Sequence, residues 1–236
     1  MLMSFNYYND EALETIARQV ISKYDPALLY KPSSIPVESI MEKAYGLTLE
    51  YQYIRKNGCI LGETIFEDSE VPVYEYGINE GYKLISVKGG TVIIDASLLR
   101  EPSSSGRLRF TCAHELAHWI IDKDYFMQLG VTANLSSCSG DAELARKFSD
   151  YNDVHRSLEY KEGLSARAIR SSSTDHAIER QANRVASRIL MPKCTLKPAF
   201  YQAQNSTSNV TSYLAALYDV SKQAMQIRLE EMGLST

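Results

Sequence analysis

Two histidines four residues apart, with a glutamate directly after the first, form the most constraining local pattern in this chain. They are His114, Glu115 and His118, in the run His-Glu-Leu-Ala-His. On an α-helix of 3.6 residues per turn, positions four apart lie on the same side, so both imidazoles can reach one point in space. Apolar residues surround the run, which predicts a buried helix. Because two imidazoles and a carboxylate are costly to bury without partners or a metal ion, the pattern predicts a metal site.

The same spacing predicts a zinc hydrolase. Zn²⁺ held by two histidines and a third protein ligand keeps one position for water and lowers the pKa of that water toward about 7. Glu115 lies beside the two histidines and is predicted to take the proton as general base. The pattern H-E-x-x-H on a helix is typical of metalloproteases. The alternative is a pair of core histidines on an ordinary buried helix.

Glu179 is the predicted third metal ligand. It belongs to a second predicted helix, in which Asp175 favours the N-terminal end and Pro192 marks the stop. One side of this helix carries Glu179 together with small or apolar residues, namely Ala182, Ala186 and Ile189. The opposite side is predicted to face solvent and carries Arg180, Arg184 and Arg188. A carboxylate flanked by inward-facing alanines favours a metal ligand, and the alternative is a boundary residue paired with an arginine.

The competitors for the place of third ligand are Asp124, His155, His176 and the other carboxylates further along the chain. Asp124 is disfavoured because Ile121 stands where a glycine would let the chain turn back toward the metal. His155 lies in a polar run and is predicted to be on the surface.

The two elements together resemble the ImmA/IrrE family of metallo-endopeptidases. The resemblance rests on H-E-L-A-H and on E-R-Q-A-N-R-V-A-S-R-I-L-M-P, and it extends over roughly residues 30 to 234. It implies that zinc is bound by His114, His118 and Glu179 and that Glu115 is the catalytic base. It also implies a zincin-like fold and a protein substrate, a helix-turn-helix repressor of a mobile genetic element or stress response. Glu179 follows His118 by 61 positions, which is more than we expect for this family.

An α+β fold is predicted, with a metallopeptidase domain at residues 1–205 and a helix-turn-helix-like pair at 206–236. Apolar periodicity predicts helices over residues 10 to 24 and 36 to 46. Alternation predicts a small, mostly antiparallel sheet, with strands near 47 to 53, 60 to 66, 82 to 87 and 91 to 95. Gly89-Gly90 predicts a tight hairpin between the last two strands.

Charge and composition argue against nucleic acid and membranes as partners. The net charge is −4, and residues 210 to 236 carry two basic residues against three acidic ones, so DNA binding is not expected. The first residues lack a basic and apolar leader, and no run of about 18 apolar residues occurs, which predicts a cytoplasmic protein. No C-x-x-C spacing joins the four cysteines, and Cys112 is predicted to lie in the core.

Residues 122 to 174 form the least informative stretch, interpreted as a solvent-exposed connector or, alternatively, as a lid or substrate-recognition insert. His176 and Tyr125 are candidates for stabilising the oxyanion of peptide hydrolysis. The sequence leaves two further functions open. One is a non-catalytic regulator that keeps zinc as a structural element and binds protein or DNA. The other is hydrolysis of an amide that is not a peptide bond.

Overall fold

A computed structural model describes residues 6–54, 61–75, 81–100, 105–128, 135–137 and 172–234. Its α-helices are α1 (Asp10–Tyr24), α2 (Val37–Ser39, continued by a π-helical turn Ile40–Ala44), α3 (Ser105–Ile121), α4 (Lys123–Gln128), α5 (Ser172–Leu190), α6 (Lys193–Gln204), α7 (Val210–Tyr218) and α8 (Lys222–Glu231). Its strands are β1 (Thr48–Gln52), β2 (Gly62–Ile65), β3 (Ser69–Val73), β4 (Lys83–Val87), β5 (Thr91–Asp95) and β6 (Leu135–Ser137). Short 3-10 helices cover Pro26–Leu29 and Ala96–Leu99.

Four strands form the main sheet in the order β1-β5-β2-β6. β5 is buried along its whole length and pairs in parallel with β1 and antiparallel with β2, whose other edge pairs antiparallel with β6. β3 and β4 form a separate antiparallel ribbon. Three of these four strand pairs are antiparallel, and the mixed α+β class predicted from the sequence is confirmed.

The predicted hairpin across Gly89-Gly90 is wrong. A turn does form there, with Gly90 at φ 89°, but the strands on its two sides belong to different sheets. The Gly89 amide donates to Asp68 and the Gly90 amide donates to the carbonyl of Ile65, so the turn is tied to the end of β2. The chain therefore passes from the ribbon into the middle of the main sheet, where β5 finds partners on both edges.

Helix α3 packs against α5 and against strands β2 and β5, which brings the two predicted functional elements together. Fully buried alanines on both helices allow close approach: Ala113, Ala117, Ala182 and Ala186. Cys112 lies in the same core, as predicted, and its burial raises the pKa of the thiol. Helix α1 begins at the Asn9 cap, whose side chain accepts from the Ala12 amide, as expected for a helix start.

Helices α7 and α8 contribute to the same hydrophobic cluster as α1, α3 and α5, through Leu214, Tyr218, Met225 and Leu229. The Ser221 side chain caps α8, and Gly233 ends it at φ 67°. The domain boundary near residue 205 and the helix-turn-helix geometry of this pair stay predictions. Within the described residues, every helix is too short or too polar to span a lipid bilayer.

One side of α5 differs from its prediction. Arg180 is exposed and Arg184 is half-buried, but Arg188 is only 2% exposed. The Arg188 guanidinium faces Asp10 and Glu14 of α1 and Glu231 of α8. The four-residue repeat of arginines is therefore not a solvent-facing stripe, because its last member is paired with carboxylates from distant parts of the chain.

Candidate metal centre and catalytic carboxylate

Helix α3 places His114 and His118 side by side with no solvent exposure. Their Nε2 atoms are 2.9 Å apart, and the two rings meet edge to face with an interplanar angle of 83°. The spacing of four residues produces this arrangement, since it stacks the two side chains on successive turns of one helix face.

Glu179 reaches the same point from α5. Its Oε2 lies 3.3 Å from Nε2 of His114, and its Oε1 lies 3.6 Å from Nε2 of His118. The Glu179 side chain is 31% exposed, so the point where the three side chains meet is open on one side. The structure thus brings together the three residues predicted as metal ligands; that they bind a metal stays a prediction.

The outer nitrogens of both histidines have oxygen partners that fix the ring protons. Nδ1 of His114 lies 2.9 Å from Oδ1 of Asn183, and Nδ1 of His118 lies 2.7 Å from Oδ2 of Asp122. An amide oxygen and a carboxylate oxygen accept hydrogen bonds, so each Nδ1–H donates. In neutral imidazoles the Nε2 atoms then carry the lone pairs, and these are the ring nitrogens that lie near the Glu179 carboxylate.

This arrangement concentrates negative potential and attracts positive charge. Burial acts to lower the pKa of His118, but the charge of Glu179 and the hydrogen bond to Asp122 outweigh it and hold that pKa well above the usual range. Burial acts to raise the pKa of Glu179, and the neighbouring His118 and His114 overcome it and hold that pKa far below its usual value. A proton shared among these side chains offsets part of the negative charge, and a divalent metal ion would offset more of it.

The donor set fits a small divalent cation. The chosen ligand atoms of His114, His118 and Glu179 all lie within 4.8 Å of one another. Tetrahedral zinc with bonds of about 2.0–2.1 Å holds its ligand atoms about 3.3–3.4 Å apart, which falls between the shortest and longest of the separations described above. Two imidazoles and one carboxylate are also the ligand types that catalytic zinc sites use when a fourth position stays open.

Glu115 directly follows His114 on α3, and its side chain is held by strand β2. It has no solvent exposure, and its Oε2 lies 2.7 Å from the hydroxyl of Thr64, which donates to it. Gly62 leaves room for the carboxylate, because a Cβ atom there would stand 2.5 Å from Oε1 of Glu115. The base predicted from the sequence is therefore oriented by one strand of the main sheet.

Sequence reasoning missed four residues of this site: Thr64, Gly62, Asp122 and Asn183. Two of them carried a usable signal, because Asp122 follows His118 by four positions and Asn183 follows Glu179 by four positions. The residues of β2 carried none, since the pairing of a strand with a helix about fifty positions away leaves no local pattern. Outer partners of histidine ligands commonly set ring orientation and tautomer.

In the described part of the chain, the residues whose ligand atoms converge are His114, His118 and Glu179, and the other candidates stand as follows. Asp124 is exposed on α4, in agreement with its rejection as a ligand. Tyr125 packs against Phe126, with ring centroids 5.3 Å apart, and its role at an oxyanion stays a prediction. His155 lies outside the described residues, and the side chain of His176 lies outside the described side chains, so neither prediction is tested.

Replacing Asp122 with alanine is expected to weaken metal binding by about 10- to 100-fold. The change removes the acceptor that holds the His118 ring with Nε2 toward Glu179. Asp122→Asn keeps an oxygen acceptor and is the matched control, with a smaller expected loss. Competition with a chromophoric chelator measures the affinity, and equal affinities for all three proteins would contradict this role.

Comparison with known families agrees with the resemblance drawn from the sequence. A model of the M78 peptidase family, described as the IrrE N-terminal-like domain, matches residues 155–230. The matched segment includes Glu179 and Asn183 and begins after the histidine pair. No curated protein matches the chain.

The site and the match together indicate a protein of the metallopeptidase type. Over residues 155–230 the chain resembles the IrrE N-terminal-like domain, which supports an ImmA/IrrE family protein.

Proposed function

We propose that this protein is a zinc-dependent endopeptidase that cleaves a regulatory protein. The observation that supports the proposal most strongly is the convergence of two imidazole nitrogens and a carboxylate beside a second, fully buried carboxylate, Glu115. Two carboxylates in one site with different surroundings can take different roles, and here one faces the histidines while the other faces Thr64.

Zinc is the proposed metal, and His114, His118 and Glu179 are the residues that would hold it. Imidazole nitrogen with a single carboxylate suits zinc better than magnesium or calcium, which prefer oxygen ligands alone. Asn183 and Asp122 would keep the two imidazoles in the tautomer that presents Nε2. When bound, the ion would supply Lewis acidity toward a carbonyl and lower the pKa of water.

Glu115 is proposed to move the proton during hydrolysis. Its carboxylate accepts a proton from the attacking water and then donates it to the amine of the leaving peptide. The Thr64 hydroxyl donates to Oε2 and so helps to orient the carboxylate. Burial of Glu115 between α3 and β2 fixes the carboxylate in one position, which a general base needs.

The proposed substrate class is a repressor of the helix-turn-helix type, encoded by a mobile genetic element or a stress-response system. The family resemblance supports this class. The net charge of −4 gives no reason to expect direct binding to nucleic acid, so a protein substrate is favoured over DNA.

Metal removal tests the proposal. The zinc-loaded protein is incubated with a helix-turn-helix repressor from the same genome, and the fragments are identified by mass spectrometry. We expect cleavage that stops after treatment with a chelator and returns when zinc is added back. Bound zinc without any metal-dependent cleavage across several such repressors would contradict the endopeptidase and favour the non-catalytic regulator.

A further inference from the structure

The edge of the strand that holds Glu115 is covered by a short piece of the same chain. β6 pairs antiparallel with β2, and its backbone stands opposite Gly62, Glu63 and Thr64. Two of these three positions lie against Glu115. The Thr64 hydroxyl donates to its carboxylate, and Gly62 has no Cβ atom, which leaves room for that carboxylate. β6 is therefore paired with the section of β2 that lies at the candidate catalytic base.

Strand spacing places β6 close to the reaction site. Neighbouring strands lie about 4.8 Å apart. Ser137 stands opposite Gly62, and a Cβ built on Gly62 would be 2.5 Å from Oε1 of Glu115. A backbone paired with this edge of β2 therefore lies about one strand spacing from Gly62, the residue that lies against the Glu115 carboxylate. The other side of β2 offers no alternative, because β5 occupies it.

An extended peptide that adds to a sheet edge uses this kind of backbone pairing. The pairing partner of β2 at its outer edge is a segment of only three residues. A strand pair this short contributes few hydrogen bonds, and isolated pairs of strands are marginally stable in water. A longer extended peptide can form more hydrogen bonds along the four residues of β2 and compete with it.

We propose that β6 occupies the position of an extended peptide substrate on β2 and blocks it until a substrate takes its place. The proposal rests on the endopeptidase function argued above and adds a regulation to it. The enzyme is then latent by default, with the competent fraction set by how often β6 leaves β2. The apparent Kd for a peptide is then the intrinsic Kd divided by that competent fraction.

Proline substitutions in β6 test the proposal through the backbone alone. Proline removes an N–H from the strand, whereas alanine keeps it. Alternate residues of an antiparallel strand bond to a given neighbour, so the change is made at two successive positions, Ser136→Pro and Ser137→Pro, each beside its alanine counterpart. All four are made in a Glu115→Gln background, so that the probe is not cleaved.

The probe is a fluorescent peptide with the sequence of residues 131–137, Val-Thr-Ala-Asn-Leu-Ser-Ser. Fluorescence anisotropy is expected to give at least about tenfold tighter binding to one of the proline variants than to its alanine counterpart, because minor states are commonly populated at 10% or less. Equal affinity for proline and alanine variants, or no binding to either, would overturn the proposal.

Hydrogen exchange gives a second measurement that does not depend on the substitutions. As the free peptide is titrated into the protein with Glu115→Gln alone, the amides of residues 135–137 are expected to lose protection while those of β2 keep it. Unchanged protection in β6 at saturating peptide would mean that β6 is a permanent strand of the sheet.

Peptide binding and cleavage separate this proposal from the one on which it rests. If the proline variants bind the probe more tightly but the parent protein, with Glu115 intact, cleaves no repressor, the blocking role of β6 is supported and the endopeptidase function is contradicted. If the parent protein cleaves but all variants bind the probe equally, the endopeptidase stands and the blocking role of β6 does not.

Discussion

Replacing Glu115 with glutamine is expected to lower kcat for cleavage by between about 10²-fold and 10⁴-fold, the usual contribution of general acid–base catalysis. Glutamine has nearly the same shape as glutamate and can still accept the Thr64 hydrogen bond through its amide oxygen. It cannot take a proton from water at neutral pH. The substitution therefore removes the proposed proton transfer and leaves the packing of α3 against β2 in place.

Metal content distinguishes this prediction from a loss of the site. Glu115 is not one of the three residues whose ligand atoms converge, so the variant is expected to bind as much zinc as the parent protein. Glu42 is exposed on the π-helical turn, and Glu42→Gln is the matched control, which is expected to leave kcat unchanged. A Glu115→Gln protein that keeps its zinc and cleaves at the parental rate would place the base elsewhere.

The residues found from the sequence are those whose signal is local. His114 and His118 are neighbours because of helix geometry, and Glu179 faces inward because Ala182 and Ala186 share its side of α5. The predicted helix over residues 10 to 24 agrees with the α1 bounds, Asp10–Tyr24. Periodicity in one element is enough to establish such features, and no knowledge of distant partners is required.

The features that were missed depend on contacts between distant parts of the chain. β3 was not predicted. Pro72 in its middle weakens the strand pattern, and a proline is tolerated there because β3 pairs only with β4 among the residues that the structure describes. The predicted hairpin failed for the related reason that the partners of β5 are β1 and β2. Thr64 is invisible as a site residue until β2 is placed beside α3.

The burial of Arg188 also could not be predicted from a local pattern. A repeat of arginines every four residues normally indicates a solvated helix face, and for Arg180 it does. Arg188 is buried instead because its carboxylate partners arrive from α1 and α8. Burial and the neighbouring Arg228 lower the pKa of Arg188, since two guanidinium groups share one set of carboxylates.

The buried pair of arginines leads to the largest expected effect on stability. Arg228 is 1% exposed and donates to Glu14 of α1, to Glu231 of its own helix and to the carbonyl of Met191 at the end of α5. It therefore ties together three helices, one of which carries Glu179. Arg228→Met keeps much of the apolar part of the side chain but removes one of the positive charges that pair with Glu14 and Glu231.

Arg228→Met is expected to lower the free energy of unfolding by about 3 kcal/mol, the low end for breaking a buried ion pair, because the two carboxylates keep some contact with water. For a protein of this size, that loss corresponds to a fall in Tm of about 6–12 °C. Urea denaturation with linear extrapolation measures it directly.

Arg18→Met on the exposed side of α1 is the matched control for loss of one positive charge, with an expected change within about 0.5 kcal/mol. Arg228→Lys keeps the charge and should fall between the two, since an ammonium group cannot bridge the same three acceptors with the planar geometry of a guanidinium. If Arg228→Met unfolds at the same urea concentration as Arg18→Met, Arg228 adds nothing to stability, and the packing of α1, α5 and α8 depends on their apolar contacts and on Arg188.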